Sequence, residues 1–496
     1  MFSLKHLLIL IFFILSLMGA FHHELSLDEA RVWISMQEIG LTSLVSDTRC
    51  EMHCLPWFYV VKTLTSVFTH PLSMQILTII LGTVVFAIIS LLSPFTILEK
   101  CLLLFNYYFF FEYNLLSRPY VLMTMGMVLV CLTFADRKVK PLPFVFALLF
   151  LENSTYFGIF LTFPFVSLFI WEILSGKIEF ERTLLRKISA LGILYLGFFI
   201  WYALPVSSVY NCFNLSTKDL SVNFVRFQES IWDVARAFFP VATDTWNEHL
   251  FDTSSTGKSI LSIFWISFIG FTLWSIRKNR EALYLLGTGV FLIFAYRFCK
   301  PIYFGSFLRH LGALSIMYVG CMWIARKAQP DNKSMKILFL IFLLPGAFSG
   351  VRMYKEDYFR KFSHGIDVHE FISKKEYEGY EIIPDSLLFT SSYLVYSDLR
   401  YFSFIDKNHV RVFPLSFNRQ QVPVAPAHVR GIHIVPRLPE GILRDIVREQ
   451  TRSADYRGFL ILNYPPGNLP AELELRPVIE FTGAINANED YYIFSK

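Results

Sequence analysis

Charge is the first thing this chain lacks. Asp, Glu, Lys and Arg make up 17% of its 496 residues, where soluble globular domains average about 25%. The net charge is only +5, and the positive residues fall in short clusters between apolar runs. That distribution makes Lys and Arg markers of membrane topology more than of nucleic acid, which is not expected as a partner. Cysteine is scarce as well, at seven. Cys101, Cys131, Cys299 and Cys321 lie inside apolar runs as ordinary buried residues. Cys50, Cys54 and Cys212 lie in loops read as external, and an odd number of loop cysteines builds no disulfide framework. His53 stands between Cys50 and Cys54, with His22 and His23 upstream, but this is no zinc spacing, so no metal site is assigned. Internal repeats and low-complexity segments are missing too.

What is abundant is hydrocarbon. Hydrophobic residues make up 54% of the chain, with 52 Phe, and the mean hydropathy is +0.46. They collect in runs of about twenty residues, the length that crosses a hydrocarbon core of roughly 30 Å. The chain therefore reads as an α-helical multi-pass membrane protein. The clusters at 136–140, 177–187, 277–280 and 326–336 are expected on the cytoplasmic side. They force a set of eleven spans: 4–21, 72–92, 97–113, 119–135, 141–152, 156–174, 188–207, 259–276, 282–299, 308–325 and 335–352. The N-terminus is then cytoplasmic, and 22–71, 209–258 and everything after 352 are external. The first run, with Lys5 ahead of it and "MGA" behind, has the outline of a signal peptide. It is longer than a usual signal core, and the rest of the chain is membrane-embedded, so it is read as a retained span.

Two stretches need comment. "LPWFYVVKTLTSVF" (55–68) is short and carries Lys62, and its crossing would invert the clusters from 136 to 187. It is expected to lie along the outer interface with Trp57 and Tyr59 at headgroup depth. "ENST" (152–155) breaks the pair 141–152 and 156–174, and such a polar break is tolerated where it lines a protein-walled cavity. After about 353, charge and proline rise and short β-rich runs appear: "SLLFTSSYLVYS", "HVRVFPL", "GIHIVP", "GFLILNYP" and "YYIFSK". "SHGIDVHEFISKK" and "EGILRDIVREQTR" between them have helical spacing. Residues 353–496 are thus expected to form an extracytoplasmic α/β domain beyond a transmembrane domain of 1–352.

On this topology several costly polar groups converge on the outer face. Asp28 and Glu29 follow the first span in "FHHELSLDEARVW", His53 opens the interfacial helix, and "FEYNLLSRPY" supplies Glu112, Arg118 and Tyr120. "RFCKPIYFGSFLRH" supplies Arg309 and His310. An ionised group at mid-membrane costs roughly 2.5–3.5 kcal/mol on insertion scales, so such clustering asks for a reason. Plain alternatives exist for each. Ser26 can cap the helix starting at Leu27, with Asp28 and Glu29 as the acids of its first turn. Arg118 can pair with Glu112, and His310 can be a structural interfacial histidine.

As a set these motifs resemble the GT-C glycosyltransferases, on the branch related to protein O-mannosyltransferases and aminoarabinose transferases (glycosyltransferase family 39-like). The nearest pattern is that of a group of uncharacterised bacterial multi-span membrane proteins. "DEARVW", "MHCLPW", "FEYNLLSRPY" and "RHLG" (309–312) carry the likeness, over roughly residues 1–350. The family's His-Pro-Pro-Leu is here His53-Cys54-Leu55-Pro56, and its preceding Gly is Met52. The resemblance implies transfer of a sugar from a polyprenyl-phosphate donor to an acceptor (glycan, lipid or protein) outside a bacterial cytoplasmic membrane. Asp28 would be the general base, with Glu29 orienting the acceptor or helping to hold a divalent cation. His53, Glu112, Arg118, Tyr120, Arg309 and His310 would bind substrate and phosphate. The competing class is a non-enzymatic transporter or scaffold for lipid-linked envelope intermediates. A transporter would show paired broken helices in two related halves, and the sequence has no such symmetry.

Overall fold

The computed structural model describes residues 3–48, 55–178, 224–299 and 308–378, and after them 380–384, 387–396, 401–406, 409–414, 457–463, 475–486 and 489–495, with a few single positions elsewhere. Long apolar helices dominate. Among the described residues, six are long and apolar enough to cross a membrane: Leu72–Leu92, Tyr156–Leu174, Ser255–Ile276, Arg280–Phe298, Leu308–Ala328 and Lys333–Phe359. Leu4–Ala20, Tyr120–Phe134 and Pro141–Glu152 are apolar but shorter. The protein is a helical membrane protein. The expected span at 188–207, His53 and the segments "GIHIVP" and "EGILRDIVREQTR" lie outside the described residues.

In chain order the helices are α1 (Leu4–Ala20), α2 (Leu27–Glu38), α3 (Leu44–Asp47), α4 (Leu55–Thr65), α5 (Leu72–Leu92) and α6 (Ile97–Leu104). A π-helix follows at Tyr107–Leu115, then α7 (Tyr120–Phe134), α8 (Pro141–Glu152), α9 (Tyr156–Leu174) and α10 (Phe224–Phe238). The set continues with α11 (Ser255–Ile276), α12 (Arg280–Cys299), α13 (Leu308–Leu311), α14 (Ala313–Ala328) and α15 (Lys333–Phe359). Their core is aromatic: Phe12 stacks on Phe86 at 4.6 Å, and Tyr318 lies 4.5 Å from Phe342. Offset and tilted ring pairs of this kind add roughly 0.5–1.5 kcal/mol each beyond the area they bury.

The expected span 97–113 is not one helix. The backbone breaks at Phe105–Asn106, and the Asn106 side chain accepts the Tyr108 N–H at 3.1 Å to start the π-helix. Hydropathy is blind to this change, because apolar residues fill both halves. Close approach of α15 fits the break. A Cβ on Gly350 would stand 1.9 Å from the Phe105 carbonyl oxygen, so only glycine admits the contact. π-helical turns are rare and concentrate at functional sites. The segment 209–258, read as a loop, contains the amphipathic α10, whose Asp233 pairs with Arg297 at 2.6 Å.

Two more helices, α16 (Gly365–Ile372) and α17 (Leu387–Leu394), precede and flank the strands of the C-terminal part. A four-stranded sheet has the order β1 (Glu381–Pro384), β4 (Gly458–Leu462), β6 (Tyr491–Ser495), β5 (Arg476–Phe481), with β1 parallel to β4 and the other pairs antiparallel. β2 (Tyr401–Asp406) and β3 (His409–Pro414) form a separate hairpin. The stretch 386–397, read as β-rich, holds α17 instead. Its buried end packs Val395 with Trp33 and Trp57, and tertiary burial overrides β-propensity there. α15 also runs through the expected boundary at 352 without a break.

Candidate functional site

Helix direction sorts the polar residues by end. Lys5, at the start of α1, lies by the end of α5, where Ser90 Oγ donates to its carbonyl at 3.2 Å. The turns bearing 136–140, 277–280 and 326–336 share that end through the alternation of antiparallel helices. At the opposite end lie the start of α2, the end of the π-helix, the start of α7, α13 and the end of α15.

At the start of α2 the sequence "SLDE" forms a capping box. Glu29 Oε2 accepts the Ser26 N–H at 3.0 Å and its hydroxyl at 2.7 Å. Its other oxygen accepts the Ser117 N–H at 2.5 Å. His23 completes the lock, with Nε2 3.2 Å from Glu29 and Nδ1 2.9 Å from Asp357 of α15. Burial alone would depress the His23 pKa, but the Asp357 and Glu29 carboxylates outweigh it and raise it to about 10. Burial would likewise raise Glu29, and the His23 charge, with Arg118 and the Ser117 N–H, reverses this and lowers it. His23 is therefore an imidazolium donating from both nitrogens.

With Glu29 turned inward, its neighbour Asp28 faces the mouth of the bundle, its side chain 36% exposed. Arg118 Nη2 approaches it at 3.4 Å and Arg309 Nη2 at 3.1 Å. Arg118 is buried and also donates to Ser26 Oγ at 3.1 Å. Its Nε and Nη1, together with Ser117 Oγ, are buried without a hydrogen-bond partner among the described residues. Trp246, from the stretch after α10, lies against both guanidinium groups, at 4.9 Å from Arg118 and 5.1 Å from Arg309. Its indole N–H donates to Glu112 Oε2 at 2.9 Å, as does the Tyr107 hydroxyl at 2.9 Å. The second Glu112 oxygen is buried and has no partner among the described residues. Tyr113 donates to the Arg309 carbonyl at 2.6 Å and stacks on Tyr120, while His310 stacks on Phe157 at 5.2 Å and touches Arg309.

Six of the residues singled out in the sequence thus meet at one end of the bundle: Asp28, Arg118, Arg309, Glu112, Tyr120 and His310. Glu29 is there too, but both its oxygens are committed inside the protein, so it orients α2 and is closed to substrate or a cation. Arg118 pairs with Asp28 rather than with Glu112. Among the described residues no three His, Cys, Asp or Glu side chains are grouped to hold a metal. Asp28 stands 3.4 Å from the Arg118 guanidinium and 3.1 Å from that of Arg309, and their charges oppose a cation beside it. The contacts of His23, Trp246 and Asp357 carry no signal in the sequence. Asp357 lies beyond the expected end of its span, and nothing in the sequence links Trp246 to Glu112, 134 residues away.

A half-exposed carboxylate between two guanidinium groups, one of them buried with donors to spare, suits a ligand carrying both a hydroxyl and a phosphate. Forked guanidinium donors match phosphate oxygens. The fold defines the class, a helical membrane protein with a buried ionic site at one end of its bundle. Searches against protein-family models, curated proteins and solved structures find no match to this chain.

Proposed function

We propose that the protein is a GT-C-type glycosyltransferase that moves a sugar from a polyprenyl-phosphate donor to an acceptor hydroxyl at the extracytoplasmic face of a bacterial cytoplasmic membrane. The observation that carries this reading is the meeting of Asp28, Arg118 and Arg309 at the bundle end opposite the basic turns. The excess of Lys and Arg at those turns supports a cytoplasmic N-terminus, the eleven-span topology and an external site and C-terminal α/β domain. In the proposed reaction Asp28 takes the proton of the acceptor hydroxyl. The acceptor oxygen bonds to the anomeric carbon, and the bond from that carbon to the phosphate oxygen breaks. The departing polyprenyl phosphate keeps the electron pair, and Arg118 and Arg309 meet its charge. The contacts of Asp28 with both arginines, at 3.4 and 3.1 Å, support placing the base and the phosphate-binding groups in one pocket.

Asp28→Asn tests the proposal. In nanodiscs, with co-purified lipid identified by mass spectrometry, the variant is expected to keep its polyprenyl phosphate and lose roughly 10²–10⁴-fold of its turnover, the range for a general base. Undiminished turnover in the variant, or an absence of polyprenyl phosphate from the unmodified protein, would overturn it. Retention of lipid-linked intermediates by both proteins, with no transfer by either, would favour a scaffold or transporter.

A further inference from the structure

The turn that presents Asp28 is also held from the far end of the chain. α2 begins at Leu27, whose N–H, like those of any first helical turn, finds no partner within the helix. The capping box satisfies Ser26 and Glu29 but leaves the Leu25 and Leu27 amides. Leu27 N–H donates to Glu489 Oε1 at 2.9 Å, and Leu25 N–H to the Tyr396 hydroxyl oxygen at 3.1 Å. Glu489 is fully buried and is steadied by Asn486, whose side-chain amide donates to the same oxygen at 2.6 Å. It stands two residues before β6, which pairs on both edges, with β4 and β5, and its own N–H donates to the Asn486 carbonyl at 2.8 Å. Tyr396 follows α17, the helix packed on α2. A third tie reaches the other wall of the site, where the Trp246 backbone N–H donates to the Ile485 carbonyl at 3.0 Å.

We infer that the C-terminal sheet is a working part of the site, in which Glu489 and Tyr396 are positioning residues that hold the backbone carrying Asp28. Three features favour this over incidental packing. The contacts fall on the two amides flanking Ser26, the capping residue that also accepts from Arg118. They come from two elements separated in sequence, which converge on one turn. And burying a carboxylate is costly, whereas a segment that merely covered the turn would be cheaper with an apolar residue at 489. At a helix N-terminus the carboxylate is repaid by the dipole and by the otherwise orphaned N–H. The identity of the site as a lipid-phosphate site rests on the function proposed above, while the holding of the turn does not.

The full chain in nanodiscs provides the test, with amide hydrogen exchange over 25–31 as one readout and binding of farnesyl phosphate as the other. Glu489→Ala is expected to speed exchange over 25–31 by roughly ten- to a hundred-fold, the opening equivalent of one charged hydrogen bond. Exchange within α5 and α14 should stay unchanged, and farnesyl phosphate affinity should fall about tenfold. Glu489→Gln keeps an acceptor at the same place and should restore most of both. Tyr396→Phe removes one oxygen without opening the core and should loosen the 25–27 amides alone, which keeps the test decisive if the alanine variant does not fold. Wild-type protection of 25–31 in Glu489→Ala and of 25–27 in Tyr396→Phe would overturn the inference. If the unmodified protein binds no farnesyl phosphate, the transferase reading fails, and the exchange data still decide whether the sheet holds the turn.

Discussion

His23 offers the sharpest quantitative test of the ionic lock. Its side chain is fully buried between Glu29 and Asp357, so solvent does not screen the pair. The folded pKa of about 10 lies above the ordinary 6.5. A group raised in this way stabilises the folded state fully below its unfolded pKa, and that contribution fades as pH climbs through the folded value. The window is therefore pH 6.5 to 10. At 1.36 kcal/mol per unit the gap corresponds to about 4–5 kcal/mol, in line with the 3–5 kcal/mol typical of removing one partner of a buried ion pair. His23→Gln should consequently be several kcal/mol less stable than the unmodified protein at pH 6, with the difference shrinking by up to about 1.4 kcal/mol per pH unit toward pH 10. Denaturant titrations in detergent, followed by tryptophan fluorescence at a series of pH values, would measure it. Taking the difference between the two proteins cancels the lysines and tyrosines that titrate nearby. A difference that stays flat from pH 6 to 10 would refute the argument, because it would mean that His23 is neutral in the folded protein.

Two further substitutions probe neighbouring features. Arg118→Lys keeps the charge but loses the fork that reaches Asp28 and Ser26 together, and farnesyl phosphate binding should weaken about tenfold or more, read by calorimetry in nanodiscs, with stability falling less than for His23→Gln. Gly350→Ala drives a methyl group to within 1.9 Å of the Phe105 carbonyl oxygen. Backbone cannot step aside as a side chain can, so a loss of about 1–3 kcal/mol is expected in the same titrations. An unchanged midpoint would show that α15 does not press on the break before the π-helix.

The parts of the fold that were legible are those governed by hydropathy. The helices at 72–92, 141–152 and 156–174 end where the apolar runs end, because polar or helix-stopping residues bound them on both sides. What escaped is decided by contacts between distant segments. The Asn106 break depends on a glycine of α15, and α17 is helical because Trp33 and Trp57 receive its end. Within the site, Asp28, Arg118 and Arg309 stood out because ionisable residues at span ends are costly and demand a use. Glu29 could not be told from Asp28 in the sequence, since both are acids in one helical turn. Only the inward rotation set by Ser26 and His23 separates a buried clamp from an exposed carboxylate. Trp246, Asp357 and Glu489 carry no local signal at all.

The bond from Leu27 to Glu489 joins positions 462 residues apart, and this has a consequence for biosynthesis. Leu27 is made 462 residues before the glutamate that ties its turn down. If Glu489 holds that turn as inferred above, a chain halted short of it would carry the helices of the bundle with a slack turn where the carboxylate belongs.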